Sequence, residues 1–209
     1  MITSESEAKA YIERLAGASC VERLARLETM LVSENDRQNL VSPRSLSNIW
    51  IRHFADSAQL QQYIPEGTGT LGDFGSGAGF PGLVLALMNP NVRVMLIEPR
   101  ALRVQWLNRA ITELSINNCK VEPARAENVV HSGFDVITAR ALAKLSWIIP
   151  KLRSFSELNT VWVLPKGATV ENELASIAPK MRKLFHVKQS LTSLEGRIII
   201  GKGIKGLAE

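Results

Sequence analysis

The sequence predicts an α/β protein with a seven-stranded, mostly parallel sheet, a terminal antiparallel hairpin and a helical N-terminal cap. Three observations predict it. Strand-like and helix-like patterns alternate from about residue 70 onward. The last two strand-like runs stand too close together for a crossover helix. A glycine-rich turn, Leu71-Gly72-Asp73-Phe74-Gly75-Ser76-Gly77-Ala78-Gly79-Phe80-Pro81-Gly82, joins the first strand to the first helix of the alternation. Within residues 4–63 apolar residues recur three and four apart (Tyr11, Leu15; Leu24, Leu27, Leu31; Ile49, Phe54) and no strand is convincing, so this segment reads as helical. Pro65-Glu66-Gly67-Thr68-Gly69 breaks the helical run. Beyond it we expect strand 70–74, helix 81–89, strand 92–98, helix 100–115 and strands 119–122 and 134–138. Helix 144–154, strand 159–164, helix 170–178 and strands 183–189 and 196–201 complete the series, the last two paired through 191–195. The expected organisation is a cap over residues 1–66 and one compact unit over 67–209.

The glycine turn is a ligand loop. Gly75, Gly77 and Gly79 lack Cβ atoms, so the backbone can turn sharply and lie against a bound molecule, and Pro81 suits the first position of the following helix. Two ligands compete for it. Gly77-Ala78-Gly79-Phe80-Pro81-Gly82 fits the dinucleotide fingerprint, with a pyrophosphate on the helix N-terminus. Asp73-x-Gly75-x-Gly77-x-Gly79 instead resembles motif I of class I methyltransferases, whose loop cradles the methionine part of S-adenosylmethionine. Asp73 tilts the choice, since a carboxylate there would repel a pyrophosphate but could pair with an ammonium group. Glu98, at the end of the second strand, can accept hydrogen bonds from ribose hydroxyls, which both ligands carry. The closing hairpin favours the methyltransferase arrangement over a nicotinamide-binding one.

Composition narrows the remainder. With 209 residues, 45% of them hydrophobic, the chain can bury a full core. A formal charge of +5 is a mild bias toward an anionic partner. No apolar run could span a bilayer, and the acidic start Met1-Ile2-Thr3-Ser4-Glu5-Ser6-Glu7 is unlike a signal peptide, so a cytoplasmic protein is expected. Cys20 and Cys119 are far apart, and His53, His131 and His186 are scattered without metal-ligand spacing, so no metal site is expected.

Several separated segments together resemble one family. They are Asn39-Leu40-Val41, Arg52-His53-Phe54-Ala55-Asp56-Ser57, the extended loop 73–82, Arg125-Ala126-Glu127, Thr138-Ala139-Arg140-Ala141 and Leu164-Pro165-Lys166-Gly167. In this order they are similar to the glucose-inhibited division protein B family, the bacterial guanine-N7 methyltransferases of small-subunit (16S) ribosomal RNA. The resemblance implies a class I, Rossmann-like fold, S-adenosyl-L-methionine as cofactor and small-subunit ribosomal RNA as partner. By the same resemblance Asp73, Gly75, Gly77, Gly79 and Phe80 form the loop site, Glu98 holds the ribose, Ala126 and Glu127 border the adenine, and Arg140 closes the pocket. Read without the family, Phe80 could be a core residue and Glu127 a helix-start acid. Arg140, at the end of a buried strand, needs a carboxylate or phosphate partner on either reading. Leu102-Arg103 stands where many members have Lys-Arg, and Val41-Ser42 where Leu is commonly followed by Thr.

On the substrate side, Arg52, His53, Arg100, Arg103 and Lys166 are the expected RNA-binding residues, within a wider set of cations of which about half should be solvated helix-face charges. Phe80 is the best-placed aromatic for stacking an extruded base, with Trp50 and His53 behind it. His53 and Asp56, three residues apart on one helix, could orient the base or buttress the cap. Lys180, Arg182, Lys183 and Lys188 form a second basic run expected on an exposed face of the last hairpin. Guanine N7 carries a lone pair and no proton, so no general base is expected. A monomer acting on free or subunit-bound RNA completes the expectation.

Overall fold

The computed structural model describes residues 1–131 and 133–206. The chain enters through two helices, α1 (Glu5–Ala16) and α2 (Ala18–Gln38). Ser4 starts α1, its hydroxyl accepting the Glu7 N–H, with Glu5 and Glu7 in the first turn where the helix dipole favours acids. Gly17, at φ +80°, ends α1 and opens α2. One stripe of α2 is buried, through Cys20, Leu24, Leu27 and Leu31. A short helix α3 (Pro43–Leu46) follows, then a π-helical turn over Trp50–Ala55, the single turn α4 (Asp56–Ala58) and a 3₁₀ turn over Gln59–Tyr63. Extra-wide turns of this kind are uncommon and recur at functional sites. Glu5 accepts the Trp50 and Ile51 N–H groups, so α1 satisfies the start of that turn.

The sheet contains β1 (Thr70–Phe74), β2 (Arg93–Ile97), β3 (Cys119–Glu122), β4 (Phe134–Thr138), β5 (Ser156–Lys166), β6 (Phe185–Gln189) and β7 (Arg197–Lys202). Its order is β3-β2-β1-β4-β5-β7-β6. All ladders are parallel except the two made by β7, which runs antiparallel to β5 and β6. The crossovers are α5 (Gly82–Met88), α6 (Ala101–Glu113) and α7 (Leu145–Leu152), with α8 (Val170–Ala175) and α9 (Pro179–Arg182) before β6. β5 starts earlier than its apolar run suggests, because Ser156 pairs with Phe134. Lys180 and Arg182 belong to α9 rather than to the hairpin face.

Two apolar cores lie on the two faces of the sheet. One joins α1, α2 and the π-turn to α5 and α6; the other gathers Phe74, Phe134, Phe155 and Trp162 under α7. Polar bonds pin the N-terminal helices to α6: Arg23 donates to the Leu114 carbonyl and Arg26 to that of Glu113, satisfying exposed helix-end acceptors. Buried Glu34 accepts from Arg109 at 2.6 Å. Among the described residues no helix is long and apolar enough to cross a membrane.

Candidate functional site

The carboxyl ends of the parallel strands bring the loop, the cap and the tip of β4 together. Gly75 and Gly77 adopt φ of +72° and +58°, which favours glycine at both positions. The N–H groups of Gly75 and Ser76 donate to the Ile97 carbonyl at 2.9 and 3.2 Å, fastening the loop to β2. A Cβ on Gly75 would collide with Leu142 at 2.6 Å, whereas one on Gly77 would meet the Arg103 guanidinium at 3.0 Å and the Gly75 carbonyl at an ordinary 3.7 Å. Two cavities border this loop. The larger, about 510 Å³, is roofed by Leu40, Val41 and Ser42 and receives Arg100, Arg103 and Arg140. The smaller, about 220 Å³, is an apolar slot between Phe74, Ile97, Ala126 and Trp147. Gly75 and Leu142 line both, so the Leu142 side chain stands at their boundary.

The two loop-associated carboxylates behave differently from one another. Asp73 is fully buried and lines neither cavity; it accepts the Thr138 hydroxyl at 2.8 Å and the Gly82 N–H at 3.2 Å. Burial pushes its pKa up to about 6, against the lowering pull of those bonds. Its oxygens brace β1 against α5 and β4 and face neither cavity. Glu98 lies at the tip of β2 and accepts the Gly77 N–H at 2.9 Å, the Arg100 N–H at 3.0 Å and the Arg100 Nε at 2.8 Å. Burial raises its pKa, but the Arg100 and Gly77 donors outweigh burial and hold it below the usual carboxylate value.

Arg140 closes the larger cavity on the far side, and its carboxylate partner is Asp56 of the cap. Its guanidinium donates to Asp56 at 3.4 Å, to the Arg52 carbonyl at 3.2 Å and to His53 Nδ1 at 2.9 Å. An arginine can only donate, so Nδ1 is the acceptor and the imidazole proton is on Nε2. That Nε2 is buried without a partner. Burial, then the charges of Arg140 and Arg52, push the His53 pKa down to about 3, which keeps the ring neutral. Asp56 also accepts from Thr192 at 2.7 Å and from Gln59 at 2.9 Å, so the His53–Asp56 pair buttresses the cap against the sheet and the loop before β7.

The expected base-stacking aromatics are corrected. Phe80 lines the larger cavity but is 3% exposed, with His53 stacked at 4.9 Å and the Arg140 guanidinium 5.2 Å from its ring centre. Trp50 is buried in the cap, its indole N–H on Glu28.

A third cavity, a groove of about 600 Å³, lies beyond Arg140 and His53, between the cap, the end of β5 and the loop before β7. Arg52 is exposed along it. Lys166 reaches the groove wall, yet its side chain is only 8% exposed, and its ammonium group donates to Glu173 at 2.8 Å and to the Ala143 carbonyl at 2.6 Å. The expectation that Lys166 contacts RNA is thereby corrected to a buried ion pair joining β5 to α8. Arg100 and Arg103 line the loop cavity rather than this groove. Ala126 and Glu127 border the apolar slot, with Glu127 exposed and paired to Lys151. Gly79 serves packing, since a Cβ there would strike Leu83 at 2.3 Å. Leu142 and Trp147 were not among the sequence candidates. Leu142's place two residues beyond Arg140 and Trp147's place in the helix after β4 are the signals that point to them.

A parallel sheet with one inserted antiparallel strand, a glycine loop after β1 and an acid at the tip of β2 define a class I methyltransferase. Solved structures agree on that fold. A SAM-dependent methyltransferase from Aquifex aeolicus superposes with a TM-score of 0.59 at 15% identity, over 79% of this chain and 96% of that one. A ribosomal protein L11 methylase from Lactobacillus delbrueckii subsp. bulgaricus gives 0.56 at 15% identity, over 71% and 77%. Sequence comparison is more specific: the family model described as rRNA small subunit methyltransferase G matches residues 20–200. The chain is 45% identical to the ribosomal RNA small subunit methyltransferase G of Erythrobacter litoralis, over 97% of this chain and 98% of the relative. It is 39% identical to the protein of that name from Novosphingobium aromaticivorans, over 98% and 91%. The chain belongs to the rRNA small subunit methyltransferase G family.

Proposed function

We propose that this protein transfers a methyl group from S-adenosylmethionine to N7 of a guanine in small-subunit ribosomal RNA. The observation that carries this is the two-part cavity over Gly75 and Gly77, with Glu98 beside it, opening toward a separate groove edged by Arg52. The residues fit a nucleoside with an amino-acid tail. Ala126, Ile97 and Trp147 offer an apolar slot to the adenine, with Glu127 at its edge; Glu98, fully buried with its oxygens held by Gly77 and Arg100, accepts from the ribose only once Arg100 gives way. The open backbone at Gly77 and the guanidiniums beside it suit the tail.

When bound, the cofactor supplies an electrophilic methyl group. The chain's own contribution is alignment and exclusion of water, since guanine N7 presents a lone pair and has no proton to lose. Phe80, His53 and Arg140 form the partition between the cofactor cavity and the groove, and their mutual contacts fix where a base can approach. Arg52 and His53 face the RNA side; phosphate contacts there add affinity that falls with salt. Residues 1–66 act as a cap and 67–209 as the methyltransferase unit, working as one body, and the apolar core shared by α2, α5 and α6 supports this reading. We place the protein in the cytoplasm as a monomer.

The test is transfer from labelled S-adenosylmethionine to small-subunit particles and to stripped ribosomal RNA from cells lacking the protein. N7-methylguanine is then mapped by aniline cleavage. A single cleaved guanine is expected. Cofactor binding without transfer to either substrate would overturn the activity while leaving the cofactor site intact.

A further inference from the structure

Three arginines line the cavity over the loop, and two of them are already engaged. Arg100 lies on Glu98 and Arg140 on Asp56. Arg103 is half-buried and, among the described residues, forms no hydrogen bond or ion pair. Its Nη1 is 3.0 Å from the point that a Cβ of Gly77 would occupy, so the guanidinium lies directly against the open part of the loop. No acidic side chain lines this cavity, and Glu98 beside it is already bonded to Arg100 and to the Gly77 N–H. Glu98 is the nearby counter-charge, but it is bonded to Arg100, whose own charge opposes that of Arg103, so the partly buried guanidinium is under-compensated until an anion arrives.

We infer that Arg103 binds the carboxylate at the amino-acid end of the cofactor. This rests on the cofactor reading above and reassigns a residue that the sequence had placed in the RNA footprint. Two anions could satisfy a guanidinium here, a ligand carboxylate or an RNA phosphate, and position favours the first. Arg103 touches the same glycine whose N–H is held by Glu98, and it does not line the groove that carries Arg52. Asp73 is bonded inside the fold and lines neither cavity, which leaves the carboxylate as the end of the molecule that Arg103 can reach. The planar fork of arginine matches a carboxylate with two parallel bonds, which lysine cannot reproduce.

The experiment titrates the full chain calorimetrically with S-adenosylhomocysteine and with its decarboxylated analogue, in the wild type and in Arg103→Met and Arg103→Lys. Thermal melts of the variants report folding. Arg103→Met is expected to weaken S-adenosylhomocysteine binding by roughly 10- to 100-fold. Its affinity for the decarboxylated analogue should stay within about twofold, with Arg103→Lys recovering part of the loss. Equal weakening of both ligands, or of neither, would overturn the assignment. So would unchanged S-adenosylhomocysteine affinity with a salt slope of RNA binding reduced by about one, which marks a phosphate contact. A wild type that binds neither nucleoside fails the cofactor reading itself, a result distinct from any behaviour of Arg103.

Discussion

Asp73 and His53 are both buried titratable groups, and they load the fold in opposite directions. Asp73 is held at about 6 when folded against 3.8 for a free aspartate, so the folded chain binds more protons between those values. Its contribution, about 3 kcal/mol, is fully present below pH 4 and is lost as pH rises through 6. His53, held at about 3 against 6.5, costs stability as pH falls from 6.5 toward 3. Asparagine at 73 can accept the Gly82 N–H and donate to the Thr138 hydroxyl. Asp73→Asn should therefore fold, be at least as stable as wild type at pH 7, and lose stability more steeply between pH 6 and 4 as the His53 term is unmasked. Urea unfolding at several pH values measures this; a curve parallel to wild type would count against it. At this scale the sequence was legible in part. A buried-strand arginine announces that it needs a partner, but Asp56, 84 residues earlier, becomes the partner only through the tertiary fold. The partners of Asp73 are hidden for the complementary reason: its motif position says nothing of Thr138 and Gly82.

Among the elements, α5 lies so close to β1 and β2 that Gly82 has no room for a side chain. A Cβ there would come within 2.2 Å of Leu96 and 2.8 Å of the Asp73 carboxylate. Gly82→Ala should destabilise the chain by about 1–3 kcal/mol, through displaced core atoms rather than a lost ligand contact. Gly77→Ala, where only the end of Arg103 must give way, should cost about 1 kcal/mol from its left-handed backbone. Denaturant midpoints rank the two, and a smaller loss at position 82 would refute the packing role. The order of strands and helices was readable because periodicity is local. The early start of β5 was not, since residues 157–159 are all exposed, with Leu158 the one apolar side chain among them, and join the strand through their neighbours. Nor was the π-turn, whose hydrogen bonds leave the same apolar spacing as an ordinary helix over so few residues.

Which cations meet RNA is a property of the whole molecule, because it depends on what else each one can reach. Arg52 is exposed at the groove, whereas Lys166 is enclosed with Glu173. Arg52→Ala should lower the salt slope of RNA binding by about one and leave stability nearly unchanged. Lys166→Met should do the reverse: the slope persists, and stability falls by roughly 1–3 kcal/mol as Glu173 loses its counter-charge and keeps only backbone and hydroxyl donors. Filter binding across a salt series, paired with melting curves, separates the two. A reduced slope with intact stability at Lys166 would restore it to the RNA surface.

β7 lies between β5 and β6 although it follows both along the chain. Synthesis therefore delivers the two outer neighbours before the strand that unites them. Until residues 197–202 have emerged, the outer edge of β5 is open and β6 has no partner in the sheet. A nascent chain in that state carries the unpaired strand edge that is most prone to aggregate. Completion of this side of the sheet has to wait until β7 is available, whatever the rate at which the earlier parallel strands assemble.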